Sequence, residues 1–167
     1  MKRVILIALL FWAMAQPAGA GFREGLEAYS QLDFDKALAE WLPLAEEGDV
    51  PSQYQIAVLY LRGEGVPQDF AEAAKWFRKA ADRGDGDAQF NLGHMYAQGS
   101  GVKKDFIEAY KWFYVAADTY QAAPGGEWAN PDPSQAARFR DQISAQLSDN
   151  ERAKAERRAK AWKPKKN

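Results

Sequence analysis

Ile56, Leu59, Tyr60 and Gly63 recur at intervals of three and four, the spacing of one helix face. Gly63-Glu64-Gly65 ends that helix. A second is predicted to start at Asp69, an N-capping residue with Glu72 three positions on, in the manner of a capping box. Its apolar stripe is Phe70, Ala73, Phe77, Ala80 and Ala81, and Gly84 closes it. The same pattern then returns, with Gly99-Ser100-Gly101 as the loop and Asp105 and Glu108 as the capping pair.

Setting 51–83 against 87–119 gives 15 identities in 33 positions at an offset of 36. About two or three are expected by chance at ordinary residue frequencies. The identical pairs include Tyr60/Tyr96, Gly63/Gly99, Gly65/Gly101, Asp69/Asp105 and Trp76/Trp112. A fainter copy precedes them. Asp33, Phe34, Ala37, Ala45, Gly48 and Asp49 stand 36 before Asp69, Phe70, Ala73, Ala81, Gly84 and Asp85, but 22–30 lacks the glycine loop. One helical hairpin cannot bury its apolar face alone; about three stacked copies can. The alanines let neighbouring helices approach, and Trp76, Phe77 and their echoes fill the space between them. Equivalence of Trp76 and Trp112 between copies favours packing over ligand stacking.

These residues, Tyr60-x-x-Gly63-x-Gly65-Val66-x-x-Asp69-Phe70-x-x-Ala73-x-x-Trp76-Phe77-x-x-Ala80-Ala81 and the echo from Tyr96 to Ala117, resemble the Sel1-like repeat family, relatives of the tetratricopeptide repeats. The resemblance implies an all-α fold, a right-handed α/α superhelix (solenoid) of helical hairpins. It also implies that the first helices line a concave groove that binds other proteins. The expected organisation is a signal peptide over 1–20, a divergent first repeat over 21–50, repeats over 51–86 and 87–120, a loop over 121–133, and C-terminal capping helices with a basic tail over 134–167. In that last part, 135–147 reads as a helix with Ala136, Phe139, Ile143 and Leu147 inward. Ser148-Asp149-Asn150-Glu151 is a capping box opening a helix with Ala155, Ala159 and Trp162 on one face, and Pro164 stops it. A polar-faced cap of this kind is what a solenoid end requires.

Lys2 and Arg3, the apolar run 4–14 and the small residues Ala18-x-Ala20 have the layout of a secretory signal peptide, with cleavage before Gly21. The apolar run is well short of the roughly 20 residues that span a bilayer. The chain has no cysteine, so disulfides, thiol chemistry and thiolate metal sites are excluded. Together these point to a periplasmic protein. Without Lys2 and Arg3 the 22 basic residues become 20, against 23 acidic, a net of −3. Residues 21–119 hold 17 acidic and 10 basic, or −7; 120–167 hold 6 and 10, or +4. The body is therefore no nucleic-acid surface.

Candidate chemistry is thin. Ser100-x-x-Lys103 and Ser148-Asp149-Asn150 match fragments of the serine β-lactamase pattern. Ser100 lies in the repeat loop, however, no Lys-Thr-Gly follows, and Ser148 has an N-cap to serve. The paired glycines lack the third glycine and Lys-Ser/Thr of a phosphate cradle, and each following helix opens with an aspartate. His94 is the single histidine, aligned with Val58, and is read as a groove surface position. Glu46 and Glu47 point in different directions on a helix. No catalytic residue, metal or cofactor is expected.

The reading is a non-catalytic protein–protein interaction scaffold. Its groove is assigned to Gln55, Val58, Arg62, Asn91, His94 and Gln98, at i, i+3, i+7 on the two first helices. Trp128, in the Gly/Pro-rich loop, is a candidate partner anchor. Residues 152–166, basic and mostly alanine on their apolar side, read as a solvated cap helix rather than a lipid-binding one. The alternative is a cell-wall (peptidoglycan) binder or a cell-wall-acting enzyme using Trp128 and scattered carboxylates.

Overall fold

The computed structural model describes residues 20–122 and 133–165, and these fold as eight helices with no strand among them. In chain order they are α1 (Ala20–Ser30), α2 (Phe34–Glu47), α3 (Val50–Arg62), α4 (Phe70–Asp82), α5 (Gly86–Gln98), α6 (Phe106–Ala122), α7 (Pro133–Ser144) and α8 (Asp149–Ala161). The signal-peptide reading of 1–20, apart from Ala20 at the start of α1, and the Trp128 loop fall outside the described residues. Each helix packs on the next as far as α7, and α8 returns to α6. The result is the expected all-α solenoid.

Local sequence sets each boundary. Asp33, Asp49, Asp69 and Asp85 accept backbone N–H bonds at the starts of α2, α3, α4 and α5. Asp105 does the same at α6 through the amides of Ile107 and Glu108. The capping-box reading holds in full at Ser148 and Glu151. At Asp69 and Asp105 only the aspartate half is used. Glu72 pairs with Lys75 at 2.6 Å, and Glu108 with Lys111 and Arg158 at 3.2 and 2.7 Å.

The core repeats with the sequence. Trp41, Phe77 and Phe113 stand 36 apart and are each fully buried. Small residues face them: Trp41 lies against Gly25, and a Cβ on Gly93 would meet the Phe113 ring at 2.7 Å. Trp76 and Trp112 are buried too, as packing requires. The first hairpin turns through Gln31-Leu32-Asp33 in place of a glycine loop, with Leu32 at φ 62°.

The C-terminal cap differs from a simple hairpin. Helix α7 ends at Ser144, short of the expected Leu147. Ile143 and Ala155 join Ala109, Tyr110 and Phe113 of α6 in one cluster, so α7 and α8 clasp α6.

Candidate interaction site

The odd-numbered helices are joined side chain to side chain along one face of the stack. Between α1 and α3, Arg62 Nη1 donates to Tyr29 Oη at 2.8 Å, and Tyr29 Oη donates to Glu64 Oε2 at 2.8 Å. Between α3 and α5, the Asn91 side chain lies close to Tyr54. Between α5 and α7, His94 packs on Phe139, ring centroids 4.4 Å apart. On the even side Arg78 lies over Trp112, which meets Trp162 at 6.3 Å.

The six groove positions do not share one environment. Val58 is buried in the core, 8% exposed, and presents nothing to a partner. Its equivalent His94 is not an open surface position either. It stands edge-on to Phe90, Phe113 and Phe139 at 4.7, 5.0 and 4.4 Å. Burial there disfavours the imidazolium and lowers its pKa. The spacing rule failed for both because α3 and α5 are flanked by the neighbouring hairpins, which widens their buried face. Asn91 is half-buried and donates to the Asp87 carbonyl at 2.8 Å. Arg62 is exposed but tied to Tyr29. Gln55, half-buried, and Gln98, exposed, remain presented at the surface.

Beside these positions lies a polar cluster that the sequence reading missed. Tyr120 Oη donates to Asp87 Oδ1 at 2.7 Å, and Thr119 Oγ1 donates to Gln89 Oε1 at 2.8 Å. Burial pushes Tyr54 up to about 12 and the α5-capping Asp85 up to about 6. Burial likewise raises Asp87, and burial plus the Asp87 bond raises Tyr120. Tyr120 is thus held protonated as a hydrogen-bond donor to Asp87, bracing α6 against α5 within the second repeat. The available signal was the buried-glutamine identity Gln53/Gln89, two residues after Asp87.

The remaining candidates take structural roles. Gly63 and Gly99 are left-handed C-caps of α3 and α5. Ser148 caps α8. Among the described residues no group of three or more His, Cys, Asp or Glu is placed to hold a metal, and no helix is long and apolar enough to cross a membrane.

Residues 50–85 and 86–118 each match the family model of the Sel1 repeat. Among solved structures, a protective antigen of uropathogenic Escherichia coli strains that displays an SLR fold is similar at 25% identity and TM-score 0.73, covering 87% of this chain and 30% of that one. A Sel1 repeat protein from Oxalobacter formigenes is similar at 28% identity and TM-score 0.61, covering 81% of this chain and 53% of that one. The chain therefore spans about a third and about half of the lengths of these two structures. No curated protein is similar to the chain.

Proposed function

The chain is a Sel1-repeat protein, and on that premise we propose that it acts as a non-catalytic scaffold that holds a partner protein along its odd-helix face, in the periplasm. Sel1-repeat proteins generally mediate protein–protein interactions. The observation that carries the reading is the bracing of the odd helices by Tyr29–Arg62 and His94–Phe139. A surface fixed before binding loses less conformational entropy when a partner docks. Gln55, Arg62 and Gln98 offer polar groups on that face, suited to an extended peptide or a partner helix.

Photo-crosslinking in cells tests the face. A photoreactive residue at Gln55 or Gln98 should give a protein adduct, and one at the exposed Lys75 of α4 should not. Adducts from Lys75 equal to those from Gln55 and Gln98, or none from any position, would overturn the assignment. The proposed location rests on the leader pattern of 1–20. N-terminal sequencing of the exported protein should begin at Gly21; a retained Met1 would contradict it.

A further inference from the structure

The residues after α8 turn back onto the stack. Trp162, with extended backbone at φ −66° and ψ 140°, sets its ring on Trp112 of α6 at an interplanar angle of 69°. Pro164 reaches Gly84, where an added Cβ would stand 3.7 Å from the Pro164 Cβ. Lys165 then bonds one residue twice. Its backbone N–H donates to the Asp82 carbonyl at 2.7 Å, and its Nζ pairs with Asp82 Oδ2 at 2.6 Å. The tail thus runs from α8 across α6 to the last residue of α4.

That end of α4 suits a lysine. The last carbonyls of a helix have no partner within it, and they carry the negative end of its dipole. Asp82 adds a carboxylate whose side chain is only 20% exposed, whereas the Lys165 side chain is 72% exposed. The seat is built into the fold and its occupant lies on the outside. The contact is also loosely filled: a cleft of about 390 Å³ opens among Trp162, Lys163 and Pro164 of the tail and Tyr114, Val115 and Asp118 of α6. Asp118 stands 36 after Asp82 and offers a second carboxylate there. Exposed lysine–carboxylate pairs are individually weak, so this occupant is displaceable.

We propose that Trp112, Gly84 and Asp82 form a recognition site for an extended basic peptide of the pattern Trp-x-Pro-Lys, and that the chain's own tail fills it until a partner's segment displaces it. The aromatic residue packs on Trp112, the proline keeps the segment extended past Gly84, and the lysine caps α4. Charge complementarity favours such a partner, since residues 21–119 carry a net −7 from 17 acidic and 10 basic residues. The site lies on the even helices, so its outcome is independent of the groove.

The test measures fluorescence anisotropy of a labelled peptide copying residues 160–165, Lys-Ala-Trp-Lys-Pro-Lys, against the full chain. Lys165→Glu should bind it at least tenfold more tightly than wild type, with Lys165→Ala between the two. Adding Asp82→Asn to Lys165→Glu should abolish that gain, and a peptide with alanine for its tryptophan should bind at least tenfold more weakly. Equal binding by wild type and Lys165→Glu, no binding by either, or indifference to Asp82→Asn or to the peptide's tryptophan would each overturn the proposal.

Discussion

Gly101 lies against the backbone carbonyl of Phe70 so closely that a Cβ on it would overlap that carbonyl. Gly65 meets Phe34 in the same way, its added Cβ 2.8 Å from the Phe34 Cβ, with both partners 36 positions earlier. The repeat loop therefore seats on the start of the preceding repeat's second helix. A side chain at Gly101, at φ 68°, would meet backbone that cannot step aside. At Gly99, at φ 80°, it would meet the Lys104 Cβ at 3.2 Å. Gly101→Ala should cost more than about 3 kcal/mol and Gly99→Ala about 1–2 kcal/mol. Urea denaturation of the two variants compares them, and equal midpoints would refute the seating.

The buried glutamines give a second comparison. Gln53 Nε2 donates to the Ala45 carbonyl at 2.9 Å, and Gln89 Nε2 to the Ala81 carbonyl at 3.2 Å. Gln89 also accepts from Thr119. Replacing Gln89 by leucine removes two side-chain hydrogen bonds, to the Ala81 carbonyl and from the half-buried Thr119, and the same change at Gln53 removes one; the two carbonyls keep the amides of Gly84 and Gly48. Gln89→Leu should lose about 1–3 kcal/mol, roughly 1 kcal/mol more than Gln53→Leu. Thermal or urea melts at neutral pH measure the difference.

His94 makes the seam between α5 and α7 sensitive to acid. Its folded pKa is below its unfolded value of 6.5, so the unfolded chain binds the proton more readily. Its contribution is complete above 6.5 and is lost as pH falls through 6.5 toward the folded pKa. Asp85 acts in the opposite sense. Its folded pKa of about 6 exceeds 3.8, so protonation between these values favours the fold. Subtracting the stability profile of His94→Leu from that of wild type cancels Asp85 and should leave a loss below pH 6.5. A flat difference would contradict the buried imidazole.

The repeat was legible in the sequence because its devices are local: a capping aspartate, a glycine loop, an apolar stripe at helical spacing. Asp69, Gly99 and Phe77 each do what their spacing predicts. The site was less legible because it depends on which neighbour covers each helix. Val58 shares i, i+3, i+7 spacing with Gln55 and Arg62, yet α3 buries it, and the Phe139 that covers His94 sits on another helix. The tail had no periodicity to read, and Lys165 meets Asp82 across 83 positions.

Hydrogen–deuterium exchange of the full chain, comparing wild type with Gln89→Leu, tests the central claim most directly: that the hairpins form one stack by packing like against like. Gln89 belongs to α5 and bonds the end of α4, at the seam between the two matching repeats. Amides in both 50–85 and 86–118 should lose protection together. Loss confined to 86–118, with 50–85 unchanged, would mean that the hairpins fold side by side without sharing an interface.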